Sequence, residues 1–120
     1  MIIAPSLLSA NFLNLETEVK AFDKAKDVWI HLDIMDGHFV PNLTFGPTVI
    51  KNLSSITKHK LDAHLMVTNP NDHIEWFKDL GIHNFTFHWE SVHHQDRMVQ
   101  KIIDHFPSCG ISLNPATNVD

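Results

Sequence analysis

The amino-acid sequence predicts an α/β fold: the N-terminal half of one (β/α)8 (TIM) barrel domain, spanning residues 1–120 as about four βα units and a fifth strand. Three observations carry this expectation. First, five short apolar runs, at residues 2–8, 29–35, 61–67, 85–90 and 110–113, alternate with helical patterns, and such alternation builds a parallel sheet. Second, three successive runs are polar on one face only. Parallel strands covered by helices on both sides are apolar on both, so an open doubly wound sheet fits less well than a barrel whose inner face opens into a site. Third, a whole barrel takes roughly 250 residues, about 200 at the least, and this chain has 120.

Each element has its own local cause. After the first run, Asn14 reads as an N-cap. Glu16 and Glu18 follow at the positive end of the helix dipole, with Leu15, Val19 and Phe22 on one face. The second run leads into a long turn, residues 38–45, before Gly46-Pro47 opens a shorter helix. The stretch 36–47 is either a lid or a packed Ω-like loop held by Phe39 and Phe45. In the next interval Asn69 is the expected N-cap and Pro70 the first helical residue. Ile74, Phe77 and Leu80 form the buried stripe, and Gly81 closes the helix. The last helix carries Met98, Val99, Ile102, Ile103 and Phe106, and Pro107 ends it.

Side-chain parity then locates the chemistry. Successive residues of a strand point to opposite faces, so His31, Asp33 and Met35 share one face. Asp62, His64 and Met66 share the equivalent face of the next strand, and Thr86, His88 and Glu90 that of the one after. His31, Asp33 and His64 converge as two imidazoles and a carboxylate, a donor set for a divalent transition metal. The alternative is a set of satisfied polar residues in a partly wet barrel mouth. His88 and Glu90 read as outer partners, further ligands or a packed polar layer, and Met35 and Met66 as adaptable filling. Ser6 also looks inward. The remaining histidines (38, 59, 73, 83, 93, 94 and 105) fall in loops or on helices and are expected to be solvated. Cys109, just before the last run, is expected to be buried and inert.

Composition narrows the partners. Nine Lys+Arg against 14 Asp+Glu, net charge −5, with no basic cluster, disfavour nucleic acid and anionic membrane. No apolar stretch approaches the roughly 18 residues of a membrane span, no basic n-region opens the chain, and a single cysteine rules out an internal disulfide framework. A soluble cytoplasmic protein is expected. A half-barrel alone would expose two strand edges and an unfilled inner face, so a homo-oligomer is expected as well. A flavodoxin-like domain is disfavoured, because residues 9–14 contain no glycine for a phosphate loop.

Particular words of the sequence resemble the ribulose-phosphate 3-epimerases. They are Pro5-Ser6-Leu7-Leu8-Ser9-Ala10, His31-Leu32-Asp33-Ile34-Met35-Asp36-Gly37-His38-Phe39-Val40-Pro41-Asn42, Thr44-Phe45-Gly46-Pro47, Asp62-Ala63-His64-Leu65-Met66 and Leu113-Asn114-Pro115-Ala116-Thr117. They occur in that family's order along essentially the whole chain. The resemblance implies an isomerase that interconverts D-ribulose 5-phosphate and D-xylulose 5-phosphate, in the pentose phosphate pathway, through a cis-enediolate. It implies one divalent cation (Fe2+, Zn2+, Mn2+ or Co2+) on His31, Asp33 and His64, with Asp33 also an acid/base carboxylate. Ser6, His64, Met35 and Met66 would contact substrate; His88, Glu90 and Asn114 match family positions without firm roles. The family's second catalytic aspartate and its glycine-rich phosphate-binding loops have no counterpart in these residues, so the 120-residue chain alone is expected to be inactive. A non-catalytic half-barrel that folds by self-association and a sister epimerase of a hexulose 6-phosphate are the alternatives.

Overall fold

The computed structural model describes residues 1–120. Four parallel strands, β1 (Trp29–Met35), β2 (Lys60–Met66), β3 (Ile82–His88) and β4 (Ser108–Ser112), lie side by side in chain order. Helices α1 (Leu15–Lys20), α2 (Pro47–Ile56), α3 (Pro70–Phe77) and α4 (Gln95–His105) occupy the intervals. The order decides between the two architectures that alternation allows. A doubly wound sheet reverses its strand order at a switch point; here every strand adds to the same side, as half a (β/α)8 barrel requires.

The first run, residues 2–8, is a correction. It lies along β1 but makes only two isolated bridges, Ile3 to Val28 and Ser6 to His31. The reason is Pro5. Ile3 donates to Asp27, and Trp29 and His31 donate to Ile3 and Pro5, but proline has no N–H to complete the ladder. A short 3-10 turn, Leu7–Ser9, then ends the segment, with the Ser6 hydroxyl accepting from Leu8 N at 3.2 Å.

Alternation holds in β1 and β2. Ile30, Leu32 and Ile34, and Leu61, Ala63 and Leu65, are buried against the helices, whereas His31, Asp33, Met35, Asp62, His64 and Met66 are only half-buried on the other face. The core between sheet and helices takes Val19 from α1, Ile50 and Leu53 from α2, Ile74 and Phe77 from α3, and Met98 and Ile102 from α4. Gly81, at φ +77°, turns the chain out of α3 in a conformation that a Cβ disfavours. Asn14 and Asn69 stand at the predicted N-caps without capping through their side chains; Asn69 Nδ2 donates to Asp72 instead.

β3 departs from expectation at both ends. It starts at Ile82, because a bulge between Leu61 and Asp62 pairs Ile82 with Leu61 but Asn84 with Asp62. The extra residue, His83, breaks the period-two pattern that would have betrayed the strand start, and puts His83 in a strand rather than a loop. At the other end Trp89–Ser91 form a 3-10 turn, so Glu90 is not on the strand. β4 begins two residues before the predicted run and contains Cys109, which is half-buried rather than buried; burial pushes its thiol up. His73 is also a correction. It is buried on α3 against Trp76 and Phe77, with Nδ1 at 3.0 Å from the Asn69 carbonyl.

Gly110 lets β4 approach β3 closely. A Cβ built there would lie 2.2 Å from Thr86 Oγ1, 3.1 Å from its Cβ and 3.2 Å from its Cγ2. Rotation of Thr86 would relieve the hydroxyl clash only by giving up the bond its Oγ1 accepts from Asn84 Nδ2, and its Cβ would still crowd the added methyl. Gly110→Ala is therefore expected to destabilise the chain by about 1–3 kcal/mol, read as a lower urea midpoint; an unchanged midpoint would refute the close approach.

Candidate metal centre

Parallel pairing sets the inner face in rows. His31 pairs with Asp62 and Asp62 with Asn84; one step further along, Asp33 pairs with His64 and His64 with Thr86. Met35 and Met66 pair at the C-terminal ends of β1 and β2, the end at which (β/α)8 barrels carry their sites. The sequence-predicted donors do come together: one ligand atom each from His31, Asp33 and His64 lies within 4.8 Å of the others.

The ring nitrogens are not equivalent. His31 Nδ1 lies 2.7 Å from Asp62 Oδ2, and its Nε2 faces Asp33 Oδ1 at 3.2 Å. Asp62 in turn accepts from Asn84 Nδ2 at 2.7 Å, which also donates to Thr86 Oγ1 at 3.0 Å. A carboxylate behind an imidazole fixes its tautomer and presents the other nitrogen as a ligand. Asp62 and Asn84 are thus site residues that the sequence reading did not single out, although Asp62 shares the parity of His64. His64 directs Nδ1 to Asp33 Oδ1 at 3.4 Å and Nε2 to His88 Nε2 at 2.8 Å. Ser6 Oγ donates to Asp33 Oδ2, so the structure gives Ser6 a partner in Asp33. Glu90 reaches across to the segment after β4, accepting from Asn114 N at 2.7 Å and from Thr117 Oγ1.

The loop after β1 is fastened at several points. Asp36 accepts from His38 N, Phe39 N and Thr68 N, each at 2.8 Å. Burial works against the charge of Asp36, but these N–H groups overcome it and lower its carboxyl to about 2. Thr44 Oγ1 donates to the Asp33 carbonyl at 2.7 Å. Phe39 packs on His88 and Phe45 on Phe12. This is the packed Ω-like alternative.

The donor set suits a divalent cation: one ionised carboxylate between two imidazoles, with a second carboxylate orienting one of them. Within the cluster the charges satisfy one another. Hydrogen bonds to Asp33 and then Asp62 raise His31 to about 9 against the cost of burial. Hydrogen bonds from His31 and then His64 hold Asp33 well below the usual carboxylate range. Burial opposes ionisation of Asp62, but His31 and Asn84 still lower its carboxyl.

A pH dependence follows. His31, faced by Asp33, Asp62 and His64, contributes stability that is complete below its unfolded value near 6.5 and is lost as pH rises through 9. Asp33 and Asp62 contribute above about 4 and lose their contribution as pH falls below it. The urea midpoint of the chelator-treated chain is expected to peak between about pH 4 and 6.5. A bound cation takes the place of the His31 Nε2 proton, so Zn2+ affinity should rise about tenfold per unit from pH 6 to 8. Affinity independent of pH would exclude His31 as a ligand.

A sheet wound in chain order, with two imidazoles and an acid meeting on its inner face, defines the metal-competent half of a (β/α)8 barrel. The family model described as the ribulose-phosphate 3 epimerase family matches residues 2–120, and the chain belongs to that family. It is 47% identical over 119 residues to the ribulose-phosphate 3-epimerase, cytoplasmic isoform, of Oryza sativa subsp. japonica, covering 98% of this chain and 52% of that one. The ribulose-phosphate 3-epimerases of Treponema pallidum (strain Nichols) and Bacillus subtilis (strain 168) are 46% and 40% identical over 117 residues, covering 98% of this chain and 54% of each. The chain spans about half the length of these curated relatives. No helix is long and apolar enough to cross a membrane.

Proposed function

We propose that residues 1–120 form the N-terminal half of a single (β/α)8 domain and supply the metal donors and one acid/base carboxylate of a ribulose-phosphate 3-epimerase. The reaction is the interconversion of D-ribulose 5-phosphate and D-xylulose 5-phosphate. The observation that carries this is the meeting of His31, Asp33 and His64 on adjacent strands in a chain of the epimerase family. A divalent ion held there, Zn2+, Fe2+, Mn2+ or Co2+, supplies Lewis-acid stabilisation of the negative charge that builds on a substrate oxygen once the proton next to the carbonyl is removed.

The chain's own groups do the rest of its share. Asp33 Oδ1 is turned to the two imidazoles, which leaves Oδ2, oriented by Ser6, to take the C3 proton. His31 and His64 keep that carboxylate ionised and hold it in place. Met35 and Met66 offer polarizable sulfur beside the reacting carbons without an acidic proton of their own. Inversion calls for a proton donor on the opposite face, which a complementary half-barrel would bring together with the phosphate-binding loops. A cytoplasmic location is in keeping with the rice relative's name and with the single free cysteine.

The test is complementation. This chain, Zn2+ and the part of the Bacillus subtilis relative that follows its matched segment are mixed, and xylulose 5-phosphate formation is followed. Turnover is expected from the mixture and from neither part alone. A folded mixture without turnover would remove the epimerase reading, and full turnover by this chain alone would remove the half-barrel reading. A second reading, a non-catalytic half-barrel that self-associates, draws on the outer edges, where Ile2, Ile3 and Ile111 are 55%, 61% and 46% exposed. It predicts a homo-oligomer in sedimentation and no complementation.

A further inference from the structure

The two metal-side imidazoles are anchored in different ways. His31 leans directly on a carboxylate, Asp62, whereas His64 leans on another imidazole: its Nε2 is 2.8 Å from His88 Nε2, and the rings stack at 5.0 Å and 22°. Two imine nitrogens at that separation need one proton between them, so one ring donates and the other accepts. Geometry at this pair alone leaves the direction open. Asp33 Oδ1, 3.4 Å from His64 Nδ1, attracts a proton to that nitrogen, which a bound cation displaces; in the loaded site the atom beyond His88 then sets the direction. His88 Nδ1 is buried and has no hydrogen-bond partner, yet Glu90 Oε2 stands 3.5 Å from it. Phe39 covers the ring at 4.9 Å, and His88 is only 7% exposed, which keeps solvent from that nitrogen. A buried nitrogen lone pair aimed at a carboxylate is repelled, while an N–H there is attracted. Glu90 is kept ionised, chiefly by Thr117 and by the backbone N–H of Asn114, against the cost of burial.

We propose that His88 and Glu90 are positioning residues that set the tautomer of His64. In the cation-loaded site Glu90 draws the proton of His88 to Nδ1, so His88 Nε2 accepts from His64 Nε2–H, and His64 Nδ1 is left with its lone pair for the cation. The reverse arrangement would put a proton on His64 Nδ1 and remove a ligand. Glu90 is itself held by Asn114 and Thr117 from beyond β4, so a ligand on β2 takes its orientation from a segment two strands away. The proposal rests on the metal reading of His31, Asp33 and His64.

Two measurements on the full chain test it. In the Zn2+-loaded, 15N-labelled protein, long-range proton–nitrogen spectra are expected to give His64 as the Nε2–H form and His88 as the Nδ1–H form. Competition against a chromophoric chelator is expected to give a roughly 10–100-fold weaker Zn2+ affinity for His88→Phe. His88→Gln, whose amide can accept from His64 and donate toward Glu90, should stay within about threefold of the original. His88 found as the Nε2–H form overturns the relay whether or not the variants fold. So does His88→Phe binding as tightly as the original chain, or His88→Gln weakened as much as His88→Phe, which would mark a packing role. An original chain that takes up no Zn2+ overturns the metal reading, and the relay with it.

Discussion

Asp33→Asn is expected to weaken Zn2+ binding by about 100-fold or more, since loss of a partner merely behind a ligand already costs about 10–100-fold. The isosteric amide keeps the shape but removes the only negative charge between His31 Nε2 and His64 Nδ1, at 3.2 and 3.4 Å. An amide has one oxygen, so it cannot serve the two imidazoles and Ser6 as the two carboxylate oxygens do. In the complemented enzyme the same change also removes the proton acceptor. General acid–base groups contribute roughly 10²–10⁴-fold, so turnover should fall by at least that much even when Zn2+ is saturating. Isothermal titration and the saturated rate separate the two losses. A rate restored by excess Zn2+ would leave Asp33 a ligand without an acid/base role.

The largest expected effect on stability is at Phe85, which is fully buried on the helix-facing side of β3 and stacks on Phe106 at 4.9 Å and 29°. Truncation of a buried phenylalanine costs about 3–5 kcal/mol through lost burial and the cavity left behind, and the aromatic pair adds to it. Small domains are stable by only about 5–15 kcal/mol. Phe85→Ala is therefore expected to bring the chain close to its unfolding midpoint in buffer, read as an early urea transition by far-UV circular dichroism. Ile103 on α4 is 55% exposed, and Ile103→Ala should leave the midpoint nearly unchanged. Equal losses at the two positions would contradict the core described here.

Much of this was legible before any coordinates. β1 falls where the alternation of residues 29–35 predicts it, and α3 opens at Asn69-Pro70 as predicted, although it ends at Phe77 and a turn carries Leu80 before Gly81 redirects the chain. Parity alone put His31, Asp33 and His64 on one face. What escaped has definite causes. Pro5 reads as one residue of an apolar run, yet its missing N–H matters only once β1 lies beside it. His83 reads as a loop residue in sequence, because the extra residue of a bulge falls out of period and is recognised only in register with β2. His73 looks like a surface histidine until Trp76 and Phe77 close around it.

Local chain chemistry was thus enough to specify most of the strand–helix order, the faces of β1 and β2 and the grouping of the three candidate donors, because period, proline and glycine act over a few residues. Pairing between strands had to form before Asp62 could meet His31, or His88 meet His64, from 31 and 24 residues away. Hydrogen-bond direction and imidazole tautomer belong to such pairs, and no single stretch of sequence contains both partners.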